Sequence, residues 1–163
     1  MLSKARIKLI HSLEQKKGRR KEGLFVAEGH KLVGELLSAG HKPTYICHTE
    51  EWQTDTMPVN RPWTQTCQTD LVTDAELCSA SLLQHPQQIL ALFPLPSWQI
   101  PHPTCAKDKL ILALDGVQDP GNLGTLIRTA EGAGISACVF IKGTCDPFSP
   151  KVVRACAGSV LRM

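Results

Sequence analysis

The chain has 163 residues, a formal net charge of +3 and an ordinary apolar content of 42%. That length allows one or two domains with a core large enough to be stable. No apolar run approaches the ~18 residues needed to span a bilayer, and the basic N-terminus has no apolar h-region, so neither a membrane span nor a secretory signal is expected.

Seven cysteines, at 47, 67, 78, 105, 138, 145 and 156, form an odd set with no Cys-x-x-Cys pair. They read as free thiols in a reducing compartment, the cytoplasm, rather than as a disulfide framework. His102 and Cys105 have a ligand-like spacing but no second pair, so no metal site is expected. Charge is uneven along the chain. Residues 1–23 carry eight basic and two acidic side chains, residues 24–106 three and eight, and residues 107–163 seven and five. A basic arm on a near-neutral body suits a polyanion, with Lys16, Lys17, Arg19, Arg20 and Lys21 as its contacts. The plainer alternative is a solvated helix followed by a charged loop.

In chain order, Ser3 caps a first helix running to about Lys17, with Ile7, Ile10 and Leu13 at helical spacing. Lys16 to Gly23 reads as a charged loop, and Leu24 to Ala27 as a short strand. His30 to Ala39 is an amphipathic helix with Leu32, Val33, Leu36 and Leu37 on one face, closed by Gly40. Thr44 to His48 is a second strand. Glu50 to Trp63 is a variable loop, and Trp63 to Thr69 a third strand. Thr73 caps a short helix through Leu83, and Gln88 to Phe93 is a final strand. Residues 1–93 thus form an alternating α/β domain. Pro94, Pro96, Pro101 and Pro103 crowd residues 94–106, which read as a linker because proline fixes φ and removes a donor. Residues 107–163 form the second domain.

That domain opens on an apolar run, Leu110 to Leu114, as of a strand buried on both faces. A polar, glycine-rich loop from Asp115 follows, then a helix, then a second apolar run from Ala137 to Ile141. The carboxyl end of the first strand of such a βαβ unit is where open α/β sheets bind ligands. Asp119 and Pro120 are the N-cap and first residue of the helix. Leu123, Leu126, Ile127 and Ala130 form its apolar face, and at ~100° per residue Arg128 lies roughly 150° from the centre of that face. Gly121 and Gly124, on the side of Arg128, are expected to leave its guanidinium unobstructed. The alternative is a solvent-facing arginine paired with Glu131 at i+3. Asn122 either caps local amides or orients a substrate. Further on, Ser149 and Pro150 start a short helix that Gly158 ends, with Lys151 and Arg154 on one face suited to a phosphate.

Together, Asp119-Pro-Gly-Asn-Leu-Gly-x-x-x-Arg128-Thr-Ala-x-x-x-Gly134 and Ser149-Pro-Lys-x-x-Arg154-Ala are very similar to the first motif region of the SpoU (TrmH) family. These are S-adenosylmethionine-dependent RNA 2′-O-ribose methyltransferases of the SPOUT superfamily. The basic start and Gly23-Leu-Phe-Val-Ala-Glu28-Gly29-x-Lys31 resemble the family's substrate-binding domain. The resemblance implies an α/β RNA-binding domain joined to the first half of a trefoil-knotted, parallel-sheet methyltransferase domain, with the knot incomplete. It implies catalytic roles for Arg128 and Asn122, and rRNA or tRNA contacts from Lys16, Lys17, Arg19, Arg20, Lys21, Lys151 and Arg154. A homodimer is the family's habit. No residue matches the second and third motifs, which hold the methyl donor, so the chain is expected to be truncated before them and to bind no cofactor by itself. The competing expectation is a non-catalytic RNA-binding protein. A nucleotide enzyme on a doubly wound sheet is disfavoured by the lack of Gly-x-Gly-x-x-Gly and of a Walker lysine.

Overall fold

The computed structural model describes residues 2–52, 67–97 and 109–163, which divide into two units, Met1–Leu95 and Pro96–Met163. Most of the variable loop, the start of the third expected strand, most of the linker, and His102 and Cys105 lie outside the described residues.

In the first unit, α1 (Lys4–Ser12) is capped by the Ser3 hydroxyl, which accepts from the Arg6 amide at 3.2 Å. The helix stops at Ser12, well short of Lys17. The expected charged loop is instead a second helix, α2 (Lys16–Glu22). Its residues have no apolar stripe, so periodicity gave no sign of it. Tertiary contacts hold it: a Cβ on Gly18 would meet the Ser12 carbonyl oxygen at 1.9 Å, so only glycine lets α2 run this close to the end of α1. Gly23 ends α2 at φ 67°, and its amide donates to the Arg19 carbonyl.

The chain continues through β1 (Leu24–Glu28), α3 (His30–Ser38), β2 (Tyr45–His48), β3 (Gln68–Leu71), α4 (Asp74–Ala80) and β4 (Ile89–Pro94). The sheet order is β1-β4-β2-β3. β4 enters between β1 and β2, antiparallel to both, with Glu28 opposite Leu90 and Tyr45 opposite Leu92, while β2 and β3 run parallel. Alternate residues of the strands serve two cores. Val26, Tyr45, Cys47, Leu90 and Leu92 pack with Ile10, Leu13 and Leu77. Leu32, Val33, Leu36 and Leu37 of α3 are buried, as their spacing predicts. Thr73 and Glu76 form a reciprocal capping box at α4, and the second Glu76 oxygen accepts from the Leu2 amide, tying down the N-terminus. The buried Glu28 carboxylate accepts from the Ser81 hydroxyl and, at 2.9 Å, from the Leu82 amide, which joins the end of β1 to the turn after α4.

The second unit is the predicted βαβ: β5 (Ile111–Leu114), α5 (Pro120–Gly132) and β6 (Ala137–Phe140), the strands parallel with Ile111 opposite Ala137. A short α6 (Pro150–Ala155) and a 3-10 turn (Ser159–Leu161) follow. Leu123, Ile127 and Ala130 of α5 pack with Val152, Val153, Cys156 and Val160, all buried. The expectation that β5 is buried on both faces fails. Leu110 is 67% and Val139 50% exposed, with Ile111 and Ile141 exposed beside them. The described sheet has two strands, and α5 covers only one face of it. Among the described residues no helix is long and apolar enough to cross a membrane.

Candidate active site

The site begins at the loops on the carboxyl ends of β5 and β6. The Thr144 hydroxyl donates to the Leu114 carbonyl at 2.8 Å and the Cys145 amide to the Val117 carbonyl at 2.8 Å, so the two loops are bonded to each other. Gly116 and Gly143 both take positive φ where the loops turn, and a Cβ on Gly143 would lie 3.9 Å from the Gly116 Cα.

α5 starts as its sequence dictates. The Asp119 carboxylate accepts from the Asn122 amide at 2.7 Å and Pro120 stands at the first helical position, where a missing N–H costs nothing. The cap thus uses the backbone of Asn122 and leaves its exposed side-chain amide without a hydrogen bond among the described residues. Arg128 is exposed on the same helix and forms no ion pair or hydrogen bond among the described residues. The alternative partner for it, Glu131, is taken by Arg162. Nε and Nη2 of Arg162 grip both carboxylate oxygens, the Nη2 bond at 3.0 Å. The Arg162 bond is the main reason the Glu131 carboxyl sits below its usual range, with the more distant charge of Arg128 adding a little.

On α6, the Ser149 hydroxyl accepts from the Val152 amide, and Lys151 and Arg154 are exposed. The structure therefore carries Asn122, Arg128, Lys151 and Arg154 on two packed helices of one unit. One part of the sequence reading is corrected: Gly124 is not open space beside Arg128. It is buried against Ala155, where α5 and α6 touch.

The basic arm belongs to the other unit. Lys16, Lys17, Arg20 and Lys21 are exposed on α2, Lys21 within 3.4 Å of a Glu22 oxygen. Arg19 is corrected: it is 2% exposed, and its Nη1 donates to the Leu13 and Glu14 carbonyls at 2.8 and 2.7 Å. It completes the C-terminal end of α1, where carbonyls lack helical partners, and is not available to a phosphate. Arg6, a basic residue of the same region, lies 4.0 Å over the Tyr45 ring and donates to Gln68 at 2.6 Å. Sequence reasoning missed the Glu131–Arg162 pair and the Gly124 contact, because each depends on a residue thirty-one positions away.

Two domain families match the chain. The MRM3-like substrate binding domain matches residues 4–91, and the SpoU rRNA methylase family matches residues 109–163. The chain belongs to the SpoU methylase family. An uncharacterized tRNA/rRNA methyltransferase of Synechocystis is 34% identical over 95% of this chain and 56% of its own length. The 23S rRNA guanosine 2′-O-methyltransferase RlmP of Bacillus subtilis is 33% identical over 94% of this chain and 58% of its own. Among solved structures, a TrmH-family RNA methyltransferase from Porphyromonas gingivalis superposes with a TM-score of 0.85 at 35% identity, and an AdoMet-bound rRNA methyltransferase from Sinorhizobium meliloti with 0.79 at 31%. Each match covers all of this chain and 61% of the other protein. This SpoU-family chain spans a little over half the length of these relatives and about a third of the mitochondrial rRNA methyltransferase 3 of Homo sapiens, with which it is 32% identical.

S-adenosylmethionine is the family's cofactor. The loop after β5 is open: among the described residues nothing lies within 4 Å of a Cβ built on Gly116.

Proposed function

We propose that this chain serves RNA 2′-O-ribose methylation, supplying the substrate-binding domain and the part of the methyltransferase domain that handles the ribose hydroxyl. The observation that carries this reading is Arg128, exposed on a capped helix beside the carboxyl end of β5 with no ion pair or hydrogen bond among the described residues, while Arg162 grips Glu131. A 2′-hydroxyl is a poor nucleophile at neutral pH. A guanidinium beside it and its 3′-phosphate stabilises the alkoxide as the proton leaves, and its planar fork reaches both oxygens. Arginine stays protonated, so this help is electrostatic and the proton goes to another base. The exposed Asn122 amide, which makes no side-chain hydrogen bond among the described residues, orients the ribose.

Lys151 and Arg154 on α6 and Lys16, Lys17, Arg20 and Lys21 on α2 bind phosphates of rRNA or tRNA. They supply affinity and register rather than base readout, since no aromatic side chains interleave with them. The six described cysteines are free, which favours a reducing compartment, the cytoplasm.

The decisive experiment joins this chain to the remaining portion of a relative and supplies methyl-labelled S-adenosylmethionine with ribosomal RNA. Label in alkali-resistant dinucleotides marks 2′-O-methylation and supports the reading. Label released with free bases, or no transfer from a folded fusion, rejects it. A second reading, RNA binding without catalysis, needs only the exposed cations of α2 and α6. Titration of the 163-residue chain with S-adenosylmethionine separates the two: micromolar binding excludes the second.

A further inference from the structure

Gly124 is buried in the middle of α5, against α6. A Cβ built there would lie 2.4 Å from the Ala155 Cβ and 3.0 Å from the Ala155 carbonyl carbon and the Cys156 nitrogen. None of these atoms is the free end of a flexible side chain. With any other residue at 124 the helices must move apart, because interiors have no slack on this scale. A glycine inside a helix is otherwise a disadvantage relative to alanine. Its presence here answers a need for close approach.

The segment after α6 is fastened to α5 as well. Gly124 touches Ala155, and seven residues later Glu131 holds Arg162, with the same separation of 31 residues in both pairs. The end of α6 and the turn that follows it, from Ala155 to Arg162, are therefore fixed to α5 at two points. Arg128 is one turn after Gly124 and turned about 40° from it, and Lys151 stands in the same relation one turn before Ala155. Each of the two cations is thus one turn from the helix contact, with Arg154 next to it in sequence.

We propose that Gly124 and Ala155 are a positioning pair. The absent Cβ of Gly124 seats α6 on α5 and thereby sets the spacing of Lys151 and Arg154 from Asn122 and Arg128, so that one RNA backbone engages both helices. This rests on the RNA reading above. Neither residue touches RNA itself. Gly121 is a different case, because its Cβ would meet only the Asp119 carboxylate oxygen at 3.2 Å, the end of a side chain.

The test measures binding of a single-stranded RNA oligonucleotide to the full 163-residue chain across a range of salt, with circular dichroism to verify the fold of each variant. Gly124→Ala pushes the helices apart. It is expected to bind several-fold more weakly, with a salt slope shallower by about 0.7, the loss of one phosphate contact. Ala155→Gly alone loosens the seat without adding an atom, so it keeps the fold and shifts affinity in the same direction by less. The double variant Gly124→Ala/Ala155→Gly removes the 2.4 Å contact but keeps the two backbone contacts at 3.0 Å, so it recovers part of the lost affinity and slope relative to Gly124→Ala. Gly132→Ala, the same change on α5 where nothing lies within 4 Å of the new Cβ, leaves both unchanged. Arg128→Ala and Arg154→Ala are measured alongside. If neither alters the slope, the RNA reading of this unit falls and the positioning role with it. If both alter it while the folded Gly124→Ala variant binds as wild type, or if the double variant binds no better than Gly124→Ala, the positioning role alone is overturned.

Discussion

Glu131 is held by Arg162 and not by Arg128, although Arg128 stands three residues before it on the same helix, a spacing at which such pairs form. Arg162 comes from the turn after α6, and its Nη2 also lies 3.3 Å from the Ser159 hydroxyl. One ion pair therefore does two things. It fastens the end of the chain segment to α5, and it leaves the guanidinium of Arg128 uncommitted.

Removing Arg162 should change RNA binding through Arg128. In Arg162→Ala the freed Glu131 competes for Arg128, and affinity for an RNA oligonucleotide should fall by about three- to tenfold at low salt, consistent with an ion-pair competition on the order of 1 kcal/mol. In Arg162→Ala/Glu131→Ala the competitor is gone and most of that loss should be recovered. Equal affinities for the single and double variants would show that Glu131 does not reach Arg128.

The same pair makes stability depend on pH in a defined direction. The Glu131 carboxyl is held below its ordinary value by Arg162, so its contribution is fully present above the unfolded value of about 4.3 and is lost as pH falls through the lower folded value. Thermal unfolding of wild type and Glu131→Gln should differ at pH 7, by on the order of 1 kcal/mol for a partly exposed bidentate pair. The difference should shrink as pH falls below the unfolded value and vanish once the folded carboxyl is protonated. A difference that persists at low pH would mean that shape, not charge, sets the effect of the substitution.

Arg19 and Arg20 are neighbours with opposite fates. Arg19→Ala removes the donor to the Leu13 and Glu14 carbonyls from a buried position and should destabilise the first unit by about 1–3 kcal/mol. Its effect on the salt dependence of RNA binding should be nil in protein that remains folded. Arg20→Ala should do the reverse, leaving stability within about 0.5 kcal/mol and flattening the salt slope. Denaturant unfolding and salt titration of the two variants check this, and a shallower slope for folded Arg19→Ala would return Arg19 to the RNA surface.

That contrast marks how far the sequence could be read. Ser3, Thr73, Asp119 and Ser149 cap helices as their residue types predict, because a cap is made within three residues of chain. The apolar face of α3 was legible for the same local reason, and so was that of α5 except for Leu126, which is exposed because the buried stripe is narrower than its spacing suggests. α2 was not, since a run of cations around a glycine has no face, and its support comes from the Ser12 carbonyl. Nor was the central place of β4 legible, because alternation of strands and helices reads as a parallel sheet and only long-range pairing puts the last strand between the first two. At the candidate site, Asn122 and Arg128 were found from their motif spacing. The residue that leaves Arg128 free, Arg162, carries no signal of its own.

The open face of the second unit has a consequence for the isolated chain. By their alternation Ile111, Ala113, Val139 and Ile141 share the face of β5 and β6 opposite α5, and all four are exposed and apolar. Parallel strands are ordinarily covered on both sides, and a contiguous apolar patch of this kind promotes association. The 163-residue chain should bind an apolar dye in its native state and sediment as larger species as concentration rises. Val139→Lys/Ile141→Lys places charge on that face without touching the buried side of α5, so it should abolish dye binding and self-association while leaving the thermal midpoint within a few degrees. RNA affinity should not fall, since Arg128, Lys151 and Arg154 are untouched. A double-lysine variant that unfolds would show that the face is packed in solution, and one that still self-associates would place the sticky surface elsewhere.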